Sequence, residues 1–258
     1  MSGGQLLELE GVGVRYGRHL ALSGLSFTLA AGEILALIGE SGSGKTTAAR
    51  AIMGLTPVAE GRVRFEGEDI THLAGKARRR IWQGMQMVFQ DPSASLSPRL
   101  DIGAIIAEPL VAHGLGQTAA RDKAAALLDL VGLPANVLGA PPTALSGGQR
   151  QRVAIARALG LEPRLIVADE PMSALDVSVK AQIANLFIDI RDRTGTAFLI
   201  VAHDLALMAG IADRAVVLQG GRLVEQGPMA AMMSAPAQAY TASLRDACLD
   251  PFVLVEGR

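Results

Sequence analysis

Three observations predict an α/β fold: short, continuously apolar runs, helical patterns between them, and a different, alternating pattern towards the two ends of the chain. ILALI (34–38), LIVA (165–168) and AFLIV (197–201) are bounded by Gly, Pro or charge and read as strands buried on both faces, as in a parallel sheet. MQMVF (85–89) is a fourth, less uniform strand. Helical spacing at 46–53, 119–131, 147–159 and 179–193 alternates with these runs, so right-handed crossovers are expected. LLELEGVGVRYG (6–17), RVRFEGEDI (62–70) and AVVLQGGRLVEQG (215–227) instead alternate like half-exposed antiparallel strands, with Gly220-Gly221 as a two-residue hairpin turn. From about 91 to 159 helices and Pro/Gly turns replace strands. The expectation is one domain over 1–258, with a parallel-sheet core and antiparallel β subdomain from 1–91 and 160–258. A helical subdomain is inserted at 92–159.

Composition narrows the partners. Half of the 258 residues are apolar, enough for a sizeable aliphatic core. With 24 basic against 25 acidic residues the net charge is −1, so no global field recruits nucleic acid or an anionic membrane. A single cysteine, Cys248, rules out an internal disulfide and fits a reducing compartment. MSGGQLLELEG lacks the charged-then-apolar order of a signal peptide, and no apolar run reaches roughly 18 residues. The chain is therefore expected to be soluble, leaving any bilayer crossing to other polypeptides.

GESGSGKTT (39–47) follows a buried strand and opens a helix, the context in which a glycine-rich turn becomes a phosphate cradle. Gly39, Gly42 and Gly44 let the loop curl with its N–H groups inward, and the helix start adds its positive end. Lys45 supplies a point charge for β and γ phosphates, and the Thr46 hydroxyl can ligate Mg²⁺. A plain turn would explain the glycines but not a lysine and threonine at these offsets. The strand 165–168 ends in Asp169-Glu170-Pro171, and ligands in such sheets bind beyond the carboxyl ends of strands. There Asp169 would hold the magnesium shell, through water, and Glu170 would polarise a water. Gln90 and His203 end two further strands; each alone is as readily structural as functional, but their register beside Lys45 and Glu170 suits phosphoryl transfer.

A second, incomplete cradle stands at LSGGQ (145–149). Ser146 is a good N-cap, Gly147-Gly148 expose N–H groups, and Arg150 and Arg152 add positive charge in the next turn. GAPPTA precedes it rather than a strand, and no lysine occupies the key offset. It could touch a phosphate without holding a nucleotide, or be simply a well-capped helix.

GESGSGKT, VFQDP, LSGGQ, LIVADEP, SALD and LIVAHD, in that order, resemble the ATP-binding cassette ATPases. The resemblance covers nearly the whole chain and implies a P-loop NTPase (RecA-like) core that hydrolyses ATP with Mg²⁺. Glu40, Ser41, Ser43 and Thr47 then join Gly39, Gly42, Gly44, Lys45 and Thr46 around the nucleotide. It further implies two such domains paired head to tail, each ATP lying between the loop of one and the LSGGQ of the other. Ser146, Gly147, Gly148 and Gln149 would serve the partner's ATP, and Asp176 would line the dimer seam. Tyr16 would stack on adenine, in competition with a role as a plain edge-strand aromatic. Gln90 would sense magnesium and the membrane partner, and His203 would contact the γ-phosphate. QMVFQDPSASLSPR (86–99), DEPMSALDVSVKAQI (169–183) and PAQAYTASL (236–244) resemble the peptide and nickel importer branch. Gln238-Ala239 stands where that branch usually has His-Pro, and the long cysteine-bearing extension of some relatives is missing.

The implied partners are transmembrane permease subunits, a second ATPase subunit (the same chain or a paralogue) and a separate solute-binding protein, with no nucleic acid. The implied place is peripheral, on the cytoplasmic face of the inner (plasma) membrane. Rival readings are a non-transport ATPase of the same superfamily with soluble partners and a P-loop kinase acting on a small molecule. KARRR (76–80) reads as a solvated helix face; His19, His72 and His113 lack metal-ligand spacing; Met229, Met232 and Met233 read as packing residues.

Overall fold

A computed structural model of the chain describes residues 5–249, without the side chains at 93, 94, 248 and 249. The ends of the expected 1–258 domain, and the side chain of Cys248, lie outside what is described. In order come β1 (Gln5–Tyr16), β2 (His19–Ala30), β3 (Ile34–Ile38), α1 (Lys45–Ile52), β4 (Glu60–Phe65), β5 (Glu68–Asp69), α2 (Gly75–Gly84) and β6 (Met85–Val88). The helices α3 (Pro92–Ser95), α4 (Ile102–Ala112), α5 (Gln117–Leu130) and α6 (Gly147–Leu159) follow. The chain closes with β7 (Leu165–Asp169), α7 (Val177–Thr194), β8 (Ala197–Ala202), α8 (Leu205–Ala209), β9 (Arg214–Gln219), β10 (Arg222–Pro228), α9 (Met229–Ser234) and α10 (Ala239–Leu249).

Among the described residues the strands form two sheets. One has the order β10-β9-β3-β8-β7-β6, parallel from β9 to β6, with β10 added antiparallel. The other is antiparallel, in the order β2-β1-β4-β5. Every residue of β3, β7 and β8 is buried, because each strand faces a core on both sides. Ile34, Ala36 and Ile38 face a core shared with α4, α5, α6 and α7. Leu35 and Leu37 face a second core that holds α1 against the antiparallel sheet. Within the first core Phe187 of α7 meets Phe198 of β8 edge-on, with ring centroids 5.1 Å apart.

Two expectations need correction. AVVLQGGRLVEQG is not uniformly half-exposed: β9 is a buried member of the parallel sheet, Ala215 to Leu218 being fully enclosed, and only β10 is half-exposed. The hairpin itself stands, with Gly220 and Gly221 at φ 54° and 77°. Nor is the KARRR face solvated throughout. Arg78 is buried and donates to the carbonyl oxygens of Ile70 (2.7 Å) and Leu73 (3.2 Å). Its guanidinium occupies the space over Gly54, where a Cβ would stand 2.2 Å from it.

The fold positions chemistry by adjacency. β3, β8, β7 and β6 are consecutive neighbours and run the same way, so their carboxyl ends deliver Gly39, His203, Asp169 with Glu170, and Gln90 to one edge. All of α3 to α6 is interposed between the neighbouring strands β6 and β7.

Candidate active site

The loop 39–44 leaves β3 and turns back to start α1 at Lys45. Glycine is required at its two ends by crowding. A Cβ on Gly39 would stand 2.3 Å from the Leu218 carbonyl oxygen of β9. Gly44 has φ 103°, and a Cβ there would meet Leu22 and Ala21 of β2 at 2.8 and 2.9 Å. Glu40, Ser41 and Gly42 form the exposed tip, Ser43 is buried and Thr47 lies half-buried in the first turn of α1.

Lys45 is only 4% exposed. Its Nζ donates to the carbonyl oxygens of Gly39 and Glu40, both at 2.7 Å. Burial lowers its ammonium below the usual lysine range, opposed by the charges of Glu170, Asp169 and Glu40. Thr46 Oγ1 donates to Asp169 Oδ1 at 3.0 Å. Burial raises the Asp169 carboxyl; the Thr46 hydrogen bond opposes this, neighbouring Glu170 adds to it, and Arg50 and Lys45 oppose. Two hard oxygen donors 3.0 Å apart at the foot of a phosphate loop, with an amide oxygen at the neighbouring strand end in Gln90, match the donor set of Mg²⁺.

Glu170 is the one site residue other than glycine with a left-handed backbone, φ 45°, a conformation costly for a residue with a Cβ. Its amide is tied to the Val201 carbonyl oxygen at 3.1 Å, so the strand pair enforces the turn. Gln90 Nε2 donates to Glu170 Oε2 at 3.2 Å, and His203 Nδ1 lies 3.9 Å from the same oxygen. Glu170 and His203 share the wall of a recess of about 20 Å³, room for one water. Gln90, Glu170 and His203, from three neighbouring strands, thus meet at one carboxylate oxygen. Ser173, which the sequence left unassigned, also accepts from Gln90, at 3.4 Å.

Tyr16 ends β1 and is 48% exposed, its hydroxyl paired with Thr56 Oγ1 at 3.3 Å. A half-bare ring tethered at its tip is compatible with stacking and with the plain edge role alike.

LSGGQ has its own local logic. Ser146 Oγ accepts from the Gln149 amide at 3.3 Å, and Gln149 Oε1 accepts from the Ser146 amide at 2.9 Å, a reciprocal capping box. Gly148 permits α6 to close on α7, since a Cβ there would lie 2.5 Å from Val179 Cγ1. Asp176 caps α7: Oδ1 accepts from the Val179 amide and the Ser178 hydroxyl at 2.9 and 2.8 Å. Those two bonds, the amide's first, hold its carboxyl below the usual range. Arg150 and Arg152 do not stand free as a positive field. Arg150 donates to the Leu145 carbonyl oxygen and Arg152 to that of Val131, each at 2.6 Å, so both fasten the loop and helix to their surroundings. Among the described residues no cluster of three His, Cys, Asp or Glu could hold a metal.

A glycine-rich loop between β3 and α1, with Lys45 and Thr46 at its end and Thr46 bonded to an acid that ends β7, has the build of a P-loop nucleotide hydrolase. The family model for ABC transporters matches residues 22–173, and the chain belongs to that family, whose cassettes bind and hydrolyse ATP. The oligopeptide transport ATP-binding protein OppF of Streptococcus mutans is 43% identical over 259 residues, covering 98% of this chain and 84% of that protein. The glutathione import ATP-binding protein GsiA of Salmonella paratyphi A is 45% identical over 225 residues, covering 87% of this chain and 36% of that protein. Among solved structures, cbiO1 of Clostridium perfringens, part of an ABC transporter complex, superposes with a TM-score of 0.83 at 25% identity, covering 97% of both chains. A dimeric ATP-binding cassette with ADP and Pi superposes at 0.77 and 28% identity, covering 86% of this chain and 98% of that one.

Proposed function

We propose that this chain is the ATPase subunit of a membrane importer for peptides or a similar small solute. It would work peripherally, on the cytoplasmic face of the inner (plasma) membrane, against transmembrane permease subunits, with a separate solute-binding protein delivering cargo. The relatives named for oligopeptide and glutathione import support the cargo class. No helix among the described residues is long and apolar enough to cross a membrane, so the permease is a separate partner in this reading. A groove of about 670 Å³ between core and helical part, lined by Leu55, Trp82, Met87, Phe89, His113 and Arg157, offers that partner a mixed apolar and basic seat. Phe89 in its wall immediately precedes Gln90, the residue that reaches Glu170.

The single observation that carries hydrolysis is the convergence of Gln90 and His203 on Glu170 Oε2. Gln90 fixes the carboxylate. Glu170 takes a proton from a water, whose oxygen bonds to the γ-phosphorus as the bond to the ADP oxygen breaks. Lys45 exchanges its two loop carbonyls for β and γ phosphate oxygens, and His203 donates towards the γ-phosphate. Thr46, Asp169 and Gln90 would hold Mg²⁺, which supplies charge neutralisation of the phosphate oxygens when bound. Ser146 to Gln149 and Asp176 belong to the ATP of a second ATPase subunit, this chain again or a paralogue. ATP closes such a pair only by as much as it prefers the closed form.

The test is Glu170→Gln in the chain assembled with its permease. Steady-state phosphate release is expected to fall by at least about 100-fold, the scale of a lost general base. Nucleotide binding persists and the paired form accumulates, while solute uptake stops. Hydrolysis at the unmodified rate would remove Glu170 from this role.

A further inference from the structure

The helix α10 lies against α8, the short helix that follows His203, and reaches the phosphate loop from outside. Tyr240, at its second position, has its ring against the core beside α8 and α9 and its hydroxyl 3.2 Å from the amide nitrogen of Glu40, which donates to it. That amide and the Gly39 carbonyl belong to one peptide unit. Lys45 Nζ holds the carbonyl end at 2.7 Å, so this single peptide plane, the first of the loop, is gripped at both ends. The two grips differ in permanence. Lys45 is the group that must release the carbonyl to meet phosphate; Tyr240 has no such demand on it.

The base of α10 is itself fixed. Glu225 in β10 accepts from the amides of Ala237 (2.9 Å) and Gln238 (3.1 Å), which pins the chain immediately before the helix. Thr241, next to Tyr240, is fully buried. The hydroxyl is therefore presented by an anchored element and not by a loose tail.

We propose that Tyr240 is a positioning residue for ATP hydrolysis: its hydroxyl holds the Gly39–Glu40 peptide in place when Lys45 leaves it for phosphate, so that the C-terminal helix sets the affinity of the loop for nucleotide. The inference rests on the ATPase reading of the loop and deepens it. The same helix packs on α8, which begins two residues after His203.

Tyr240→Phe is the decisive change, because it deletes the acceptor and leaves the ring in its apolar seat. In the full chain assembled with its permease, KM for ATP is expected to rise about three- to tenfold, the yield of one net hydrogen bond, with kcat within about twofold. Amide hydrogen exchange at Glu40 accelerates in Tyr240→Phe, and in the unmodified protein it stays slow when ATP is added. The melting temperature moves little. Unchanged KM together with unchanged exchange at Glu40 would overturn the assignment. So would a parallel fall in kcat and melting temperature with KM unmoved, which marks a merely structural contact. If the unmodified assembly released no phosphate from ATP, the ATPase reading would fail first, independently of Tyr240.

Discussion

Ser146 caps α6 and, in the proposed pairing of subunits, also serves the partner's ATP; a pair of substitutions can separate the two. Its Oγ uses a lone pair to accept from the Gln149 amide, and among the described residues its hydroxyl proton has no hydrogen-bond acceptor. That proton is what the second subunit's γ-phosphate would receive. Ser146→Ala removes both functions. The lost cap costs about 1 kcal/mol, which lowers the melting temperature of a chain this size by about 2–4 °C. The lost donor to a charged group costs about 1.5–3 kcal/mol, or about 10- to 150-fold in hydrolysis. Ser146→Asp keeps the cap, since aspartate caps as well as serine, but it brings no proton and places negative charge before a phosphate. The aspartate variant should melt within about 1 °C of the unmodified protein and hydrolyse more slowly than the alanine variant. ATP affinity at dilutions that keep subunits apart should be unchanged in both. Calorimetry, phosphate release at saturating ATP and equilibrium binding give the three readouts. Full hydrolysis by the aspartate variant, or loss of ATP binding by dilute subunits, would refute a role in the partner's site.

Two further outcomes follow from crowding and burial. Because burial raises the Asp169 carboxyl above its ordinary 3.8, folding takes up a proton between that value and the raised one, and stability falls as pH rises through this window. Asp169→Asn should therefore raise the melting temperature at neutral pH, with the gain shrinking in acid, while abolishing Mg²⁺-dependent hydrolysis; a loss of stability at neutral pH would contradict the sign. Gly148→Ala drives a methyl to within 2.5 Å of Val179 Cγ1 and should cost about 1–3 kcal/mol by denaturant titration, recovered in large part by Val179→Ala. Failure of that rescue would place the crowding elsewhere.

The parallel core is legible because β3, β7 and β8 are enclosed on both faces, so each reads as an unbroken apolar run that nothing but a buried strand of that length explains. The loop residues are legible because phosphate chemistry fixes their spacing. β9 misleads because its polar hairpin partner β10 lends the whole segment an exposed appearance, although AVVL is itself unbroken. β2, absent from the expected strands, hides for the opposite reason: HLALSGLSFTLA mixes polar and apolar residues along a strand that covers only one face of a core. Arg78 could not be told from its neighbours in KARRR, since only the tertiary gap over Gly54 turns it inward. The contact between Tyr240 and Glu40 spans 200 positions and leaves no local trace in either segment.

The left-handed backbone at Glu170 sets what selection can and cannot improve. A glycine would relax there without the penalty a Cβ incurs, and the folded chain would gain from the exchange. A screen for heat resistance alone would thus favour clones in which that position had drifted to glycine. If Glu170 is the base proposed above, each survivor would be a sturdier cassette with no means of spending its nucleotide.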